Sequence, residues 1–170
     1  LGGHLRDLRF GLSTLRFLDQ TASEEGPVKI KIVSFWTVVA DQGSKYLISH
    51  YCHIGQSISV IPNVLSLTYI DNPGAAFGFM ANVSPFIRIP FFIFITVGAG
   101  LVVYAYQRHL PSEKVWQRFA LGLIWGGAVG NFIDRVFYRQ VVDFIDVEKI
   151  GFGKYHFPYI FNVADSCVVC

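Results

Sequence analysis

The sequence predicts an all-α membrane protein: a bundle of four transmembrane helices, the fourth cut short, with a small extracytoplasmic β segment. Three observations point there. Of the 170 residues, 52% are apolar, 16% aromatic and only 15% charged, where a soluble domain carries roughly 25% charge. Residues Ile89 to Tyr106 run for 18 positions without a charge. Between 51 and 87, apolar and small polar residues alternate and no Lys or Arg occurs. The mean hydropathy of +0.44 agrees. The same composition excludes disorder, which needs few apolar residues and much charge. Three cysteines are too few for a secreted disulfide scaffold. A net charge of +2 with no basic stripe excludes nucleic acid as a partner.

The first element, Ile32 to about Tyr51, is apolar as far as Ala40 and then carries Asp41 and Lys45. A charge inside a membrane helix costs roughly 3 kcal/mol or more, so it faces protein or a wet cavity. Asp41 and Lys45 stand four apart, and on one helix they can pair. The alternative is a span that ends near Ala40 and leaves both in interfacial water. The outer stretch 51–87 reads as short β-strands, broken at Pro62-Asn63 and turned at Asn72-Pro73-Gly74. The second span, Ile89–Tyr106, has Pro90 in its first turn, where a missing N–H costs little. The third, Phe119–Ile133, aligns Gly122, Gly126 and Gly130 on one face, a pattern that admits a neighbouring helix. Asp134 and Arg135 follow it. The fourth begins near Phe161 and stops at Cys170, half a membrane span.

Residues 1–28 form an extension. Leu1, Leu5, Leu8, Leu12 and Leu15, with Arg6, Arg9 and Arg16 between them, would suit a surface helix on lipid, or a segment with no role. Residues 29–170 are expected to form one membrane-embedded domain, truncated at its C-terminus. Basic residues in 1–31 and 107–118 place the N-terminus and the second of these loops in the cytoplasm. The 135–161 loop then lies outside, a weaker fit given Arg135, Arg139, Lys149 and Lys154.

The chemistry-bearing residues gather at the outer ends of the spans. Asn131, Asp134 and Arg135 share a helix face at i, i+3 and i+4. Asp143 sits in the apolar run QVVDFIDV, and Asp165 opens the last span in FNVADS. Two carboxylates in apolar surroundings suggest a pair sharing one proton, since neighbouring carboxylates cannot both ionise. One takes a proton from water while the other protonates a leaving amine, which is peptide hydrolysis without a nucleophilic side chain. Other chemistries fit less well. Ser44 and Lys45 are adjacent and point about 100° apart on a helix. His50, Cys52 and His53 suggest a metal but suit the membrane interface better, and no HExxH pattern occurs. Cys167 and Cys170 have a redox spacing within an apolar helix, where packing is the plainer role. The same acids would also serve a small transporter or proton relay, although no internal repeat is seen, or would be structural in an assembly subunit.

Five segments, in order, resemble the lipoprotein signal peptidases (signal peptidase II). They are Asp41-Gln42-Gly43-Ser44-Lys45; Asn72-Pro73-Gly74-Ala75-Ala76-Phe77; Gly126 to Asn131 with Asp134-Arg135; Val141-Val142-Asp143-Phe144; and Phe161-Asn162-Val163-Ala164-Asp165-Ser166. The resemblance implies a bacterial inner-membrane aspartic endopeptidase that cuts prolipoproteins just before a cysteine carrying diacylglycerol. It implies Asp143 and Asp165 as the catalytic pair. Asp41, Asn72, Asn131, Arg135 and Asn162 would bind substrate or support the pair, with Asp134 structural. Asp146, three residues past Asp143, is a competing carboxylate that spacing alone does not exclude. The expected partners are diacylglyceryl-modified precursors and membrane lipid, acting on a monomer with no metal and no cofactor.

Overall fold

A computed structural model describes residues 29–74, 79–147 and 159–169. The expectations for residues 1–28, for Ala75 to Phe77, for the basic residues Lys149 and Lys154 and for Cys170 lie outside the described residues. In chain order the elements are α1 (Ile30–Tyr51), β1 (Ser57–Ile61), β2 (Leu65–Asn72), α2 (Pro85–Arg108), α3 (Val115–Phe137), β3 (Val141–Val147), β4 (Ile160–Phe161) and α4 (Val163–Val169).

The four expected helices are present among the described residues, with a β segment that draws on more of the chain than the sequence predicts. The strands form one four-stranded antiparallel sheet in the order β1-β2-β3-β4. Two strands come from the 51–87 stretch, as alternation predicts. β3 and β4 come from a segment expected to be loop. QVVDFIDV has the β-branched and aromatic content of a strand, but its partner β2 lies some seventy residues upstream. The pairing sets Ile70 opposite Asp143 and Asn72 opposite Val141. Between β1 and β2, Asn63 takes a left-handed conformation at φ 59°, which an Asn tolerates in a tight turn.

The first three helices keep their expected places with longer bounds, and the last begins later than expected. α1 does not end near Ala40: it continues unbroken to Tyr51, because Asp41 and Lys45 are both buried against protein. α2 starts at Pro85, so the proline at its beginning is Pro85 and not Pro90. Pro90 falls in the second turn and leaves the Phe86 carbonyl without its usual i+4 donor. α3 runs on through Asp134 and Arg135. The last helix starts at Val163, two residues after the expected Phe161, which is in β4. Among the described helices, only α2 is long and apolar enough to cross a membrane by composition alone. The polar residues of α1 and α3 lower their hydropathy, and these residues face one another.

The glycines of α3 explain how those helices meet. A Cβ on Gly122 would strike Val33, one on Gly126 would lie 2.5 Å from the Thr37 Cβ, and one on Gly130 would enter the Asp41 carboxylate. The three therefore form the groove that receives α1. Gly127 turns the other way: a Cβ there would lie 2.5 Å from the Ala164 carbonyl of α4. Ser34 reinforces the α1–α3 contact by donating to the Gly122 carbonyl at 3.0 Å. Without these close approaches the polar halves of α1, α3 and α4 could not share one site.

Candidate active site

The site lies where the C-terminal halves of α1 and α3, the start of α4, and strands β2 and β3 converge. It is best built from α4. Asn162 is the residue before that helix, and its side-chain carbonyl accepts from the Asp165 N–H at 3.0 Å. The Asp165 carboxylate reaches back to the Asn162 N–H at 3.3 Å. This is a reciprocal capping box, which satisfies two N–H groups that a helix start leaves without partners. The Ala164 N–H donates to Asp41 Oδ1 at 2.9 Å, so a carboxylate from α1 completes the cap. The sequence Asn-Val-Ala-Asp thus starts the helix and aims Asp165 by the same hydrogen bonds.

Asp143 arrives from the sheet. In β3 it shares a face with Val141, and both are 2% exposed. Its Oδ1 accepts from the Asn162 amide at 2.6 Å, and its Oδ2 accepts from the Asn72 amide at 2.8 Å. Asn162 therefore touches both acids, through its side chain to Asp143 and its backbone to Asp165. Burial pushes the Asp143 carboxyl up to about 6. The Asn72 hydrogen bond opposes that rise, the nearby Asp165 charge adds to it, and the Asn162 hydrogen bond and Lys45 charge pull it down.

The remaining expected residues surround the two acids. Asn131 donates to Asp165 Oδ1 at 2.8 Å and accepts from Asn162 at 3.1 Å. Arg135 donates to the Gly74 carbonyl at 3.1 Å and to the Asn131 carbonyl at 3.0 Å, with its guanidinium 4.3 Å over the Phe92 ring. It thereby ties the turn after Asn72 to α3. The Asn72 Oδ1 accepts from the Gly74 N–H at 2.9 Å and stiffens that turn. Asp41, fully buried, pairs with Lys45 at 2.8 Å. Asp134 meets the same ammonium at 2.6 Å, and Gln42 donates to Asp134 at 2.9 Å.

Asp146 stands apart. It accepts from the Thr68 hydroxyl at 2.8 Å, which is in turn 2.8 Å from the Ser57 hydroxyl. It is a cross-strand sheet partner, distinct from the group around Asp165. His50 stacks on Tyr46 and meets Tyr51 edge-on. Among the described residues, no three His, Cys, Asp or Glu side chains converge as metal ligands.

Two residues escaped the sequence reading. Lys45 was visible only as the partner of Asp41, yet it joins three helical side chains. Arg88, buried at the start of α2, donates to the Ala81 carbonyl at 3.1 Å and to the Arg139 carbonyl at 3.4 Å. It anchors the turn before α2 to the α3–β3 corner, where Arg139 is left-handed at φ 64°. The available signal was a lone cation beside a charge-free span, which must have a protein partner.

Packed helices carry a buried acid–amide cluster at one end, closed by a small sheet, and this fold is shared with bacterial membrane enzymes. Solved structures agree: a bacterial membrane enzyme determined by the in meso method at 1.9 Å resolution aligns with a TM-score of 0.70 and 37% identity, covering 81% of this chain and 83% of that one. A second, at 2.3 Å, gives a TM-score of 0.70 at 35% identity, over 81% and 79%. Residues 33–170 match the family model described as Signal peptidase (SPase) II. The lipoprotein signal peptidase of Syntrophotalea carbinolica is 40% identical over 137 residues, 81% of each chain. That of Geobacter sulfurreducens is 44% identical over 132 residues, 78% of this chain and 79% of its own. The chain belongs to the signal peptidase II family. It is a protease, and the transporter reading gives way to that membership.

Proposed function

We propose that this protein removes signal peptides from prolipoproteins by cutting before a diacylglyceryl-modified cysteine, with Asp143 and Asp165 as an aspartic dyad. The observation that carries the reading is the Asn162 bridge. One residue contacts both carboxylates, at 2.6 Å from its amide and 3.3 Å from its backbone N–H. Burial favours the neutral form of Asp143, so Asp143 carries the shared proton and Asp165 acts as the base. Water gives a proton to Asp165 as its oxygen attacks the scissile carbonyl. Asp143 then protonates the amine nitrogen as the C–N bond breaks, and the proton on Asp165 returns to the pair. The products are a signal-peptide carboxylate and a new cysteine amine.

The substrate's own physics fits a membrane site. A signal peptide is an apolar helix, and its diacylglyceryl chains remain in the bilayer while the scissile bond reaches the headgroup region. The basic residues favour a cytoplasmic N-terminus and a site near the extracytoplasmic face of a bacterial inner membrane, crossed several times by a monomer. The turn that Arg135 and Asn72 hold is suited to lie over the bound peptide. Incubating the purified protein with a diacylglyceryl-modified precursor and with its unlipidated form tests the substrate class. Cleavage of the first alone is expected, and equal cleavage of both contradicts the lipid requirement.

A further inference from the structure

We propose that Lys45 is a positioning residue of the dyad, acting through the Asn131 amide to orient Asp165. The proposal rests on the reading of Asp143 and Asp165 as the catalytic pair.

The Lys45 ammonium is buried, 3% exposed at the residue level. It donates to two oxygens, Asp41 Oδ2 at 2.8 Å and Asn131 Oδ1 at 2.8 Å, and forms an ion pair with Asp134 Oδ2 at 2.6 Å. Two of these partners, the carboxylates, belong to the scaffold. Asp41 caps α4, and Asp134 is held by Gln42. The third partner leads to the dyad. An ammonium only donates, so the Asn131 carbonyl oxygen must face it and the Asn131 NH2 must face away. The group on that other side is Asp165 Oδ1, at 2.8 Å. The Asn162 NH2 also donates to Asn131 Oδ1, at 3.1 Å. A flipped Asn131 would set its NH2 against two donors and its carbonyl against a carboxylate. Lys45 and Asn162 together thus permit one amide orientation, the one that offers Asp165 a donor.

The bare scaffold does not require this third contact. Asp41 and Asp134 would pair with an ammonium lying between them whether or not Asn131 were present. What Asn131 adds is a link from the buried ion cluster to the proposed base, by a path of two hydrogen bonds. Without Lys45, the Asn131 carbonyl keeps only the longer 3.1 Å bond from Asn162, and the donor offered to Asp165 is held less firmly while Asp165 keeps its capping bonds to Asn162. Lys45, Asp41 and Asp134 are all buried, so the loss is expected in the chemical step and not in peptide binding.

The test is kinetic, on the full chain in detergent or bilayers, with a diacylglyceryl-modified precursor. Lys45→Met should lower kcat about 100-fold with KM unchanged, the scale of a misplaced reacting group. Lys45→Arg should recover part of the loss. In a double-mutant cycle, Lys45→Met/Asn131→Leu should be no slower than Asn131→Leu alone, since both act along one path. Losses that multiply across the cycle overturn the proposal, as does a Lys45→Met protein with wild-type kcat. Should Lys45→Met fail to accumulate because two buried acids lose their cation, Lys45→Met/Asp134→Asn is compared with Asp134→Asn by the same criteria. Asp143→Asn and Asp165→Asn are measured alongside. If both are inactive and Lys45→Met is fully active, the Lys45 proposal fails and the dyad stands. If Asp165→Asn is active, the dyad reading itself fails.

Discussion

Replacing Asn72 with Leu should move the alkaline limb of the pH–rate profile to higher pH. Asn72 donates to Asp143 Oδ2 at 2.8 Å and favours the ionised form of that acid. A hydrogen bond to a charged acceptor contributes roughly 1.5–3 kcal/mol when made in full. Asn72 is only half-buried, so the lower end applies. At 1.36 kcal/mol per pH unit, that corresponds to a rise of about one unit. In the wild-type protein the neutral form of Asp143 is lost as pH rises through about 6, and kcat/KM should fall with it. The other groups acting on Asp143 are Asp165, Asn162 and Lys45, and the substitution leaves all three in place. The assay is kcat/KM against pH with a lipidated precursor, which reports the groups of the free enzyme. The Asx turn to Gly74 is also lost, so KM should rise as well, but at every pH. An alkaline limb that stays fixed, or that moves to lower pH, would refute the assignment of the proton to Asp143.

Other expectations follow from the same geometry. Asp146→Asn should cleave at close to the wild-type rate, because a side-chain carbonyl can still accept from Thr68; a loss as deep as that of Asp143→Asn would mean that the wrong carboxylate has been assigned. Gly126→Ala should lower thermal stability by about 1–3 kcal/mol through overpacking against Thr37, whereas Gly98→Ala, with no atom within 4 Å of the new methyl, should unfold at the wild-type temperature or slightly above. The folded-state rise of Asp143 from its ordinary 3.8 to about 6 gives a signed effect on stability. The folded protein holds this proton longer than the unfolded chain, so stability declines as pH rises from 3.8 through about 6, by about 3 kcal/mol for this group. Denaturation of wild type and Asp143→Asn across that range should show a declining difference; parallel curves would count against the shift.

The sequence made some of this legible and hid the rest for physical reasons. The Asp41–Lys45 pair and the Gly122–Gly126–Gly130 stripe are local facts of helix periodicity; the first forms within α1 and the second lies at the α1–α3 contact. Asp134 as the second counter-ion of Lys45 was not visible, since it comes from another helix about ninety positions later. β3 was missed for a similar reason: a strand is defined by its partner, and Leu65–Asn72 is far upstream. The Asn162–Asp165 spacing was readable as a capping box but drew attention only as part of a motif. Its role in bridging the two acids needed Asp143 beside it in space. Pro90 reads as a first-turn proline only for a helix starting at Ile89, whereas Pro85 starts it four residues earlier, and helix ends are the least sharply defined part of an element.

The central claim is that Asp143 and Asp165 together activate water. The most direct measurement is single-turnover cleavage of a diacylglyceryl-modified precursor by Asp143→Asn and Asp165→Asn, each shown by thermal unfolding to be folded. Neither should cut detectably, while wild type under the same conditions converts the precursor fully. Cleavage at the wild-type rate by either folded variant would contradict the account.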